Sequence, residues 1–143
     1  MKDCYIMHNA IDLDKFGYDC SVRDEMRKEL GLEGKYVIGH AGRFNKQKNH
    51  EFLIDIFNEI HKRKQNTVLF LCGGGELEEV IKEKVSALGI QEAVIFYGTC
   101  DEMHKMYQAW DVFLMPSLFE GLPVAGIEAQ AAGLPVVFSD VVT

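Results

Sequence analysis

Short β-rich apolar runs alternate with amphipathic stretches five times from Tyr36 onward, and this rhythm restricts the chain to few architectures. Runs at 36–41, 67–72, 94–97, 112–115 and 134–138 are strand-length and apolar on consecutive positions, which marks strands buried on both faces. Between them, 50–64 places Phe52, Leu53, Ile56, Phe57 and Ile60 at helical spacing, with Asp55, Asn58, Glu59 and Lys62 opposite. Asn49 is the expected N-cap, and the cations of 61–64 suit the carboxyl end of that helix. Further helices are expected over 76–88, stopped by Gly89, over 101–110 and over 124–132. Strand-helix alternation of this kind predicts an α/β fold, a Rossmann-like parallel sheet with helices on both faces. Such sheets bind ligands beyond the carboxyl ends of their strands, so the loops after Ala41, Cys72, Tyr97 and Met115 are where chemistry is sought.

The first 35 residues read as a lead-in segment, with a short strand at 5–7 and a helix over 21–30 that Ser21 caps and Gly31 stops. Residues 36–143 read as one ligand-binding domain. No helix follows the last strand, so a domain incomplete at its carboxyl end is expected.

Composition narrows the function. With 143 residues, 48% hydrophobic and 26% charged, the chain has the profile of an ordinary globular domain with a real core. A net charge of -7 gives no general attraction to nucleic acid, so a bound phosphate must rely on a few local cations. Cys4, Cys20, Cys72 and Cys100 form no C-x-x-C pair and read as reduced thiols of a cytoplasmic protein. No apolar run approaches the roughly 20 residues of a spanning helix, and neither a membrane segment nor a signal peptide is expected.

Three loops carry polar groups that a core does not need. The loop Gly42-Arg-Phe-Asn-Lys-Gln-Lys48 offers Arg43 and Lys48 as a clamp for a diphosphate, bidentate from the guanidinium and point-like from the ammonium. A solvated basic loop, Lys46 included, accounts for the same residues. The turn Cys72-Gly-Gly-Gly-Glu-Leu77 presents Gly73 and Gly74 at a helix start, where bare backbone admits an anion. It lacks the G-x-G-x-x-G spacing and the Lys-Ser/Thr of a P-loop, and a tight turn explains it equally. The third loop runs from Pro116 into a helix that Pro123 opens, with Glu120 before a Gly121-Leu122-Pro123 bend and Glu128 after it. Glu128 then lies roughly 6 to 8 Å along the axis, the reach from a diphosphate at the helix start to a ribose. Read plainly, Glu120 complements the helix dipole and Glu128 is a surface residue.

Taken together, these loops resemble the donor-binding half of the GT-B glycosyltransferases of group 1, the retaining set that carries a Glu-x7-Glu motif. The resemblance rests on Glu120 and Glu128, Asn9-Ala-Ile-Asp12, Gly42-Arg43 to Lys48, Gly-Gly-Gly-Glu-Leu77 and the tail Glu128-Ala-x-Ala-x-Gly-x-Pro-Val136, all in the family's order. It covers essentially the whole chain, and the wording of 47–50 and 119–130 looks most like bacterial capsular or exopolysaccharide enzymes. Ala10 and Asn49 stand where many relatives have Gly, and Gly126 replaces an aliphatic residue at a cost of about 1 kcal/mol in a helix.

The resemblance implies a nucleoside-diphosphate sugar as donor, with Arg43 and Lys48 on the leaving diphosphate and Glu128 on the ribose. It places Glu120 at the sugar, the backbone of Gly121 and Leu122 at the helix start, and Tyr97, Gly98 and Thr99 beside the base. It implies neither metal nor cofactor, and an acceptor glycan or lipid-linked glycan held by a separate acceptor domain. Work at the inner face of the cell membrane, with peripheral attachment open to the full enzyme, follows from the same likeness. The histidines at 8, 40, 50, 61 and 104 are scattered and read as structural or exposed. A nucleotide-sugar epimerase of the same fold, or a non-catalytic nucleotide-binding module, would share the sheet and phosphate loop.

Overall fold

A computed structural model of the chain describes residues 9–142; the expected strand at 5–7, Cys4 and His8 lie outside them. The chain runs α1 (Leu13–Phe16), α2 (Cys20–Glu29), β1 (Tyr36–Ala41), α3 (His50–Arg63), β2 (Thr67–Cys72) and α4 (Glu78–Ala87). It continues β3 (Val94–Gly98), α5 (Met103–Ala109), β4 (Val112–Met115), α6 (Val124–Ala131) and β5 (Val136–Phe138). All neighbouring strands are parallel, in the order β3-β2-β1-β4-β5. The order reverses between β1 and β4, and the connections from these two strands leave in opposite directions, which opens a crevice above their carboxyl ends.

Alternation along the central strands builds two cores. On β2, Val68, Phe70 and Cys72 join one cluster with Met106, Tyr107, Trp110 and Phe113, under α2, α5 and α6. Leu69 and Leu71 face the other way, into Leu53, Ile54, Phe57, Ile81 and Val85 of α3 and α4. At roughly 25 cal/mol per Å² of apolar area, this two-sided burial is the main stabilising term. β1 has no side chain at Gly39 because the Trp110 ring occupies that space; a Cβ there would lie 2.0 Å from it.

Several local expectations are corrected. The cap of α2 is Asp19, whose carboxylate accepts from the backbone N–H of Ser21 (2.8 Å) and Val22 (3.2 Å), so the helix begins before Ser21. The Asn49 side chain does not cap α3: the residue adopts a left-handed φ of 55°, which Asn tolerates better than most residues, and its amide donates to the Pro116 carbonyl at 3.2 Å. The buried face of α3 is His50, Leu53, Ile54 and Phe57, while Phe52 is 50% exposed. Helix α4 starts at Glu78, with Leu77 in the N-cap position and its free N–H satisfied by the Phe44 carbonyl (3.1 Å). Gly126 lies against β5, where a Cβ would stand 2.5 Å from the tip of Phe138, so the residue that weakens α6 lets it sit close to the sheet.

The lead-in helix is fastened to the sheet by one carboxylate. Asp111 takes Arg23 on one oxygen, and Arg27 (3.2 Å) and the Val37 N–H (2.7 Å) on the other. Cys72 is buried, Cys100 partly buried and Cys20 exposed, all as free thiols.

Candidate functional site

The loops after β1 and β4 meet over the crevice. Asn45 caps a single 3-10 turn (Lys46–Lys48) by accepting from the Lys48 N–H at 3.1 Å, and this turn aims Lys48 across the gap. There its Nζ meets Oε1 of Glu120 at 2.6 Å, with the two side chains only 17% and 6% exposed. Gln47 stitches the same loops: its amide donates to the Phe119 carbonyl (3.0 Å) and to the second oxygen of Glu120 (3.4 Å), and its own carbonyl accepts from the Leu118 N–H (2.8 Å). A cation and a carboxylate pulled this far from water are held by each other and are costly to separate unless a new ionic partner replaces one of them.

Beneath the pair lies a cluster that the sequence presents as scattered residues. His40 on β1 and His50 on α3 approach edge to face, with ring centroids 4.8 Å apart, and His50 stacks on Phe44 at 4.1 Å. Hydrogen bonding of His40 Nδ1 to the Leu114 carbonyl (2.8 Å) assigns the proton to that nitrogen. Burial holds both rings neutral, lowering His40 to about 4 and His50 to about 3, and the Lys48 charge pushes each the same way. Gly42 makes room above them: a Cβ there would lie 2.9 Å from His40 Nε2 and 3.2 Å from the Lys48 stem.

The glycine turn closes against the first loop. Gly73 has φ 138°, and a Cβ on it would stand 2.0 Å from the Gly42 carbonyl oxygen. Its N–H donates to the Gly98 carbonyl (2.8 Å), and the Gly74 carbonyl accepts from Phe44 (3.1 Å). The Gly73 amide is therefore already engaged. Thr99 stands close to Gly74, within 3.9 Å of where its Cβ would be, while Tyr97 is 42% exposed and packs beside Phe70. Tyr97 and Thr99 line a hollow of about 460 Å³ with Met26, Glu29 and Lys105.

Glu128, eight residues beyond Glu120, projects from α6 and accepts from the Tyr107 hydroxyl at 2.8 Å. It lines a separate hollow of about 350 Å³ with Asn9, Asp12, Phe16 and Leu122. Pro123 stands at the α6 boundary as expected, and Gly121 and Leu122 are exposed before it. The structure thus brings Lys48 and Glu120 together and seats Glu128 farther along the same loop-helix unit. Arg43 is exposed on the first loop, and among the described residues it has no ionic partner. Sequence reasoning missed Tyr107, His40 and His50, whose aromatic character reads as ordinary core. Among the described residues, no three His, Cys, Asp or Glu side chains gather as a metal-sized group, and no helix is long and apolar enough to cross a membrane.

Solved structures share this architecture. The chain superimposes on Anabaena HepE, crystallised with UDP and glucose, with a TM-score of 0.86 and 22% identity over 95% of this chain and 38% of that one. The C-terminal domain of the group 1 family protein LpcC from Francisella tularensis gives 0.82 and 23% over 92% of this chain and 71% of that one. In sequence, the chain is 38% identical over 97% of its length to EpsF of Bacillus subtilis. It is 30% identical over 95% to the Escherichia coli UDP-Gal:alpha-D-GlcNAc-diphosphoundecaprenol alpha-1,3-galactosyltransferase. A GDP-mannose-dependent phosphatidylinositol monomannoside mannosyltransferase of Mycolicibacterium smegmatis matches at 32% over 90%. The chain spans 36% of the length of each of these three relatives. The family profile for glycosyl transferases group 1 matches residues 22–143, the whole sheet and both loops of the crevice, and the chain belongs to that family.

Proposed function

We propose that this chain is the donor-binding part of a retaining glycosyltransferase that takes a nucleoside-diphosphate sugar and passes the sugar to a polysaccharide or lipid-linked acceptor. The observation that carries the reading is the Lys48–Glu120 pair at the point where the strand order reverses. In this reading Lys48 is the cation that meets the diphosphate and Glu120 the carboxylate that faces the attached sugar. Two of the three relatives are named for UDP-Gal and GDP-mannose, which supports a nucleoside-diphosphate sugar as donor class.

In this reading the bond between the sugar's anomeric carbon and the diphosphate breaks. A new bond to the acceptor hydroxyl oxygen forms on the same face, and the hydroxyl proton leaves with the departing diphosphate. Arg43 and Lys48 neutralise the charge that grows on the leaving group, a contribution of about 3 to 4 kcal/mol for a contact that strengthens in the transition state. Glu120 faces the sugar, Glu128 accepts from the ribose hydroxyls, and the amides near Gly74, Gly121 and Leu122 add donors to the diphosphate. The hollow beside Tyr97, Gly98 and Thr99 takes the base. Two protein cations do the neutralising, so the reaction is proposed to need neither metal nor cofactor. Transfer is assigned to the complete enzyme at the cytoplasmic face of the membrane, with the chain itself binding donor weakly.

Calorimetry with UDP and GDP in EDTA tests the clamp. Replacing Arg43 and Lys48 together by Ala should weaken binding at least thirtyfold, roughly 2 kcal/mol, whereas Lys46→Ala should leave it within about twofold. Equal losses from both would refute the assignment of the diphosphate to this loop.

A further inference from the structure

Tyr107 on α5 is 1% exposed, and its ring is fixed edge to face against Trp110 at 5.3 Å and Phe113 at 6.1 Å. Packing therefore decides where its hydroxyl points. The hydroxyl donates to Oε2 of Glu128 at 2.8 Å, joining α5 to α6 from the buried side. Glu128 also borders the open hollow beside Leu122 and Asp12, so the same side chain touches both the core and this hollow.

A glutamate at the edge of a hollow has three torsions to lose, and a free carboxylate samples many orientations. One bond from a rigid donor holds Oε2 in place, narrows the orientations of the carboxylate and leaves Oε1 and the second lone pair of Oε2 available. Two acceptor oxygens restrained in this way match the two adjacent hydroxyls of a ribose. Burial first, and then the neighbouring Glu128 charge, hold the Tyr107 hydroxyl protonated, so it serves as donor throughout the working pH range.

We infer that Tyr107 is a positioning residue that orients the Glu128 carboxylate to receive a vicinal diol, the ribose of the donor. The inference rests on the reading of Glu128 as the ribose acceptor and goes beyond it by naming what holds that acceptor in place. A tyrosine that only satisfies its own buried hydroxyl would change stability on mutation without changing which nucleotides bind.

The test is calorimetry of the chain with UDP and GDP and with their 2′-deoxy and 3′-deoxy counterparts, for the wild type, Tyr107→Phe, Glu128→Gln and the double variant. The wild type should lose about tenfold in affinity when either hydroxyl is removed. Tyr107→Phe should lose about tenfold with the parent nucleotide and bind the deoxy analogues no more weakly than the parent. Adding Glu128→Gln to Tyr107→Phe should cost less than about twofold more, because the pair acts as a unit. Thermal melts confirm that each variant folds, and the Glu128→Gln arm reads the coupling from the Glu128 side. A Tyr107→Phe variant that discriminates deoxy nucleotides as strongly as the wild type overturns the positioning role while leaving Glu128 at the ribose. A wild type indifferent to both hydroxyls removes Glu128 from the ribose, and the inference falls with it.

Discussion

Glu120 is where the residue-level chemistry is most exposed to test. Its carboxylate and the Lys48 ammonium neutralise each other at 2.6 Å, so a diphosphate that recruits Lys48 must compete with Glu120 for it. Two like unit charges repel by roughly 2 kcal/mol at a separation of about 7 Å and an effective dielectric of 20. Glu120→Gln removes the carboxylate charge and leaves the partly buried Lys48 without an ionic partner, which favours any anion that replaces it. UDP or GDP binding should therefore tighten about tenfold, while sugar transfer by the complete enzyme should fall at least a hundredfold. The idea is refuted if Glu120→Gln weakens nucleotide binding as much as Lys48→Ala does. Lys48 and Glu120 are legible in the sequence through the spacing of Glu120 to Glu128 and the Gly42 to Lys48 loop that carry the family resemblance, since a lone charge in a loop has a plain solvated reading. Tyr107 and His40 are not, because the partners that give them meaning lie 21 and 74 residues away, at Glu128 and the Leu114 carbonyl.

At the scale of elements, the strands were readable because a strand buried on both faces is a continuous apolar run. β1, β2 and β4 begin and end where the runs do, and β3 extends one residue further, to Gly98. Helix ends were less readable, since they are set by contacts from other elements. α4 starts two residues later than expected, after Gly75 packs against the Phe44 backbone, and α5 stops at Ala109 because Trp110 turns into extended backbone and drives its ring under β1. Trp110 is fully buried, and Gly39 is the strand position that accommodates it. Gly39→Ala forces a methyl into the Trp110 indole, and overpacking of this kind costs typically about 1–3 kcal/mol. Urea denaturation should show a loss at the upper end of that range, partly restored by a second change, Trp110→Phe. No loss in the single variant would contradict the close packing of β1 on that ring.

Across the whole molecule, the two cores, the sheet and the crevice loops converge on His40 and His50. His40 belongs to the strand beside the strand-order reversal, His50 opens the helix that follows the first crevice loop, and both feel the Lys48 charge above them. Neutral imidazoles here tie global stability to pH. Each has an ordinary value of 6.5, lowered to about 4 for His40 and about 3 for His50, so the unfolded chain binds more protons than the folded one between those limits. Stability is then fully present above pH 6.5 and is lost as pH falls toward 4, with about 3 kcal/mol at stake from His40 alone. The exposed carboxylates with lowered values, Asp19, Glu59 and Glu102, release their stabilisation only below their ordinary values of 3.8 to 4.5, so the interval from pH 5 to 6 belongs to the histidines. His50→Phe keeps an aromatic ring against Phe44 and removes one of the two sites. In urea denaturation across pH 5 to 6, the slope of stability against pH should fall from about two protons to about one. An unchanged slope would mean that the acid sensitivity of the fold arises away from this cluster.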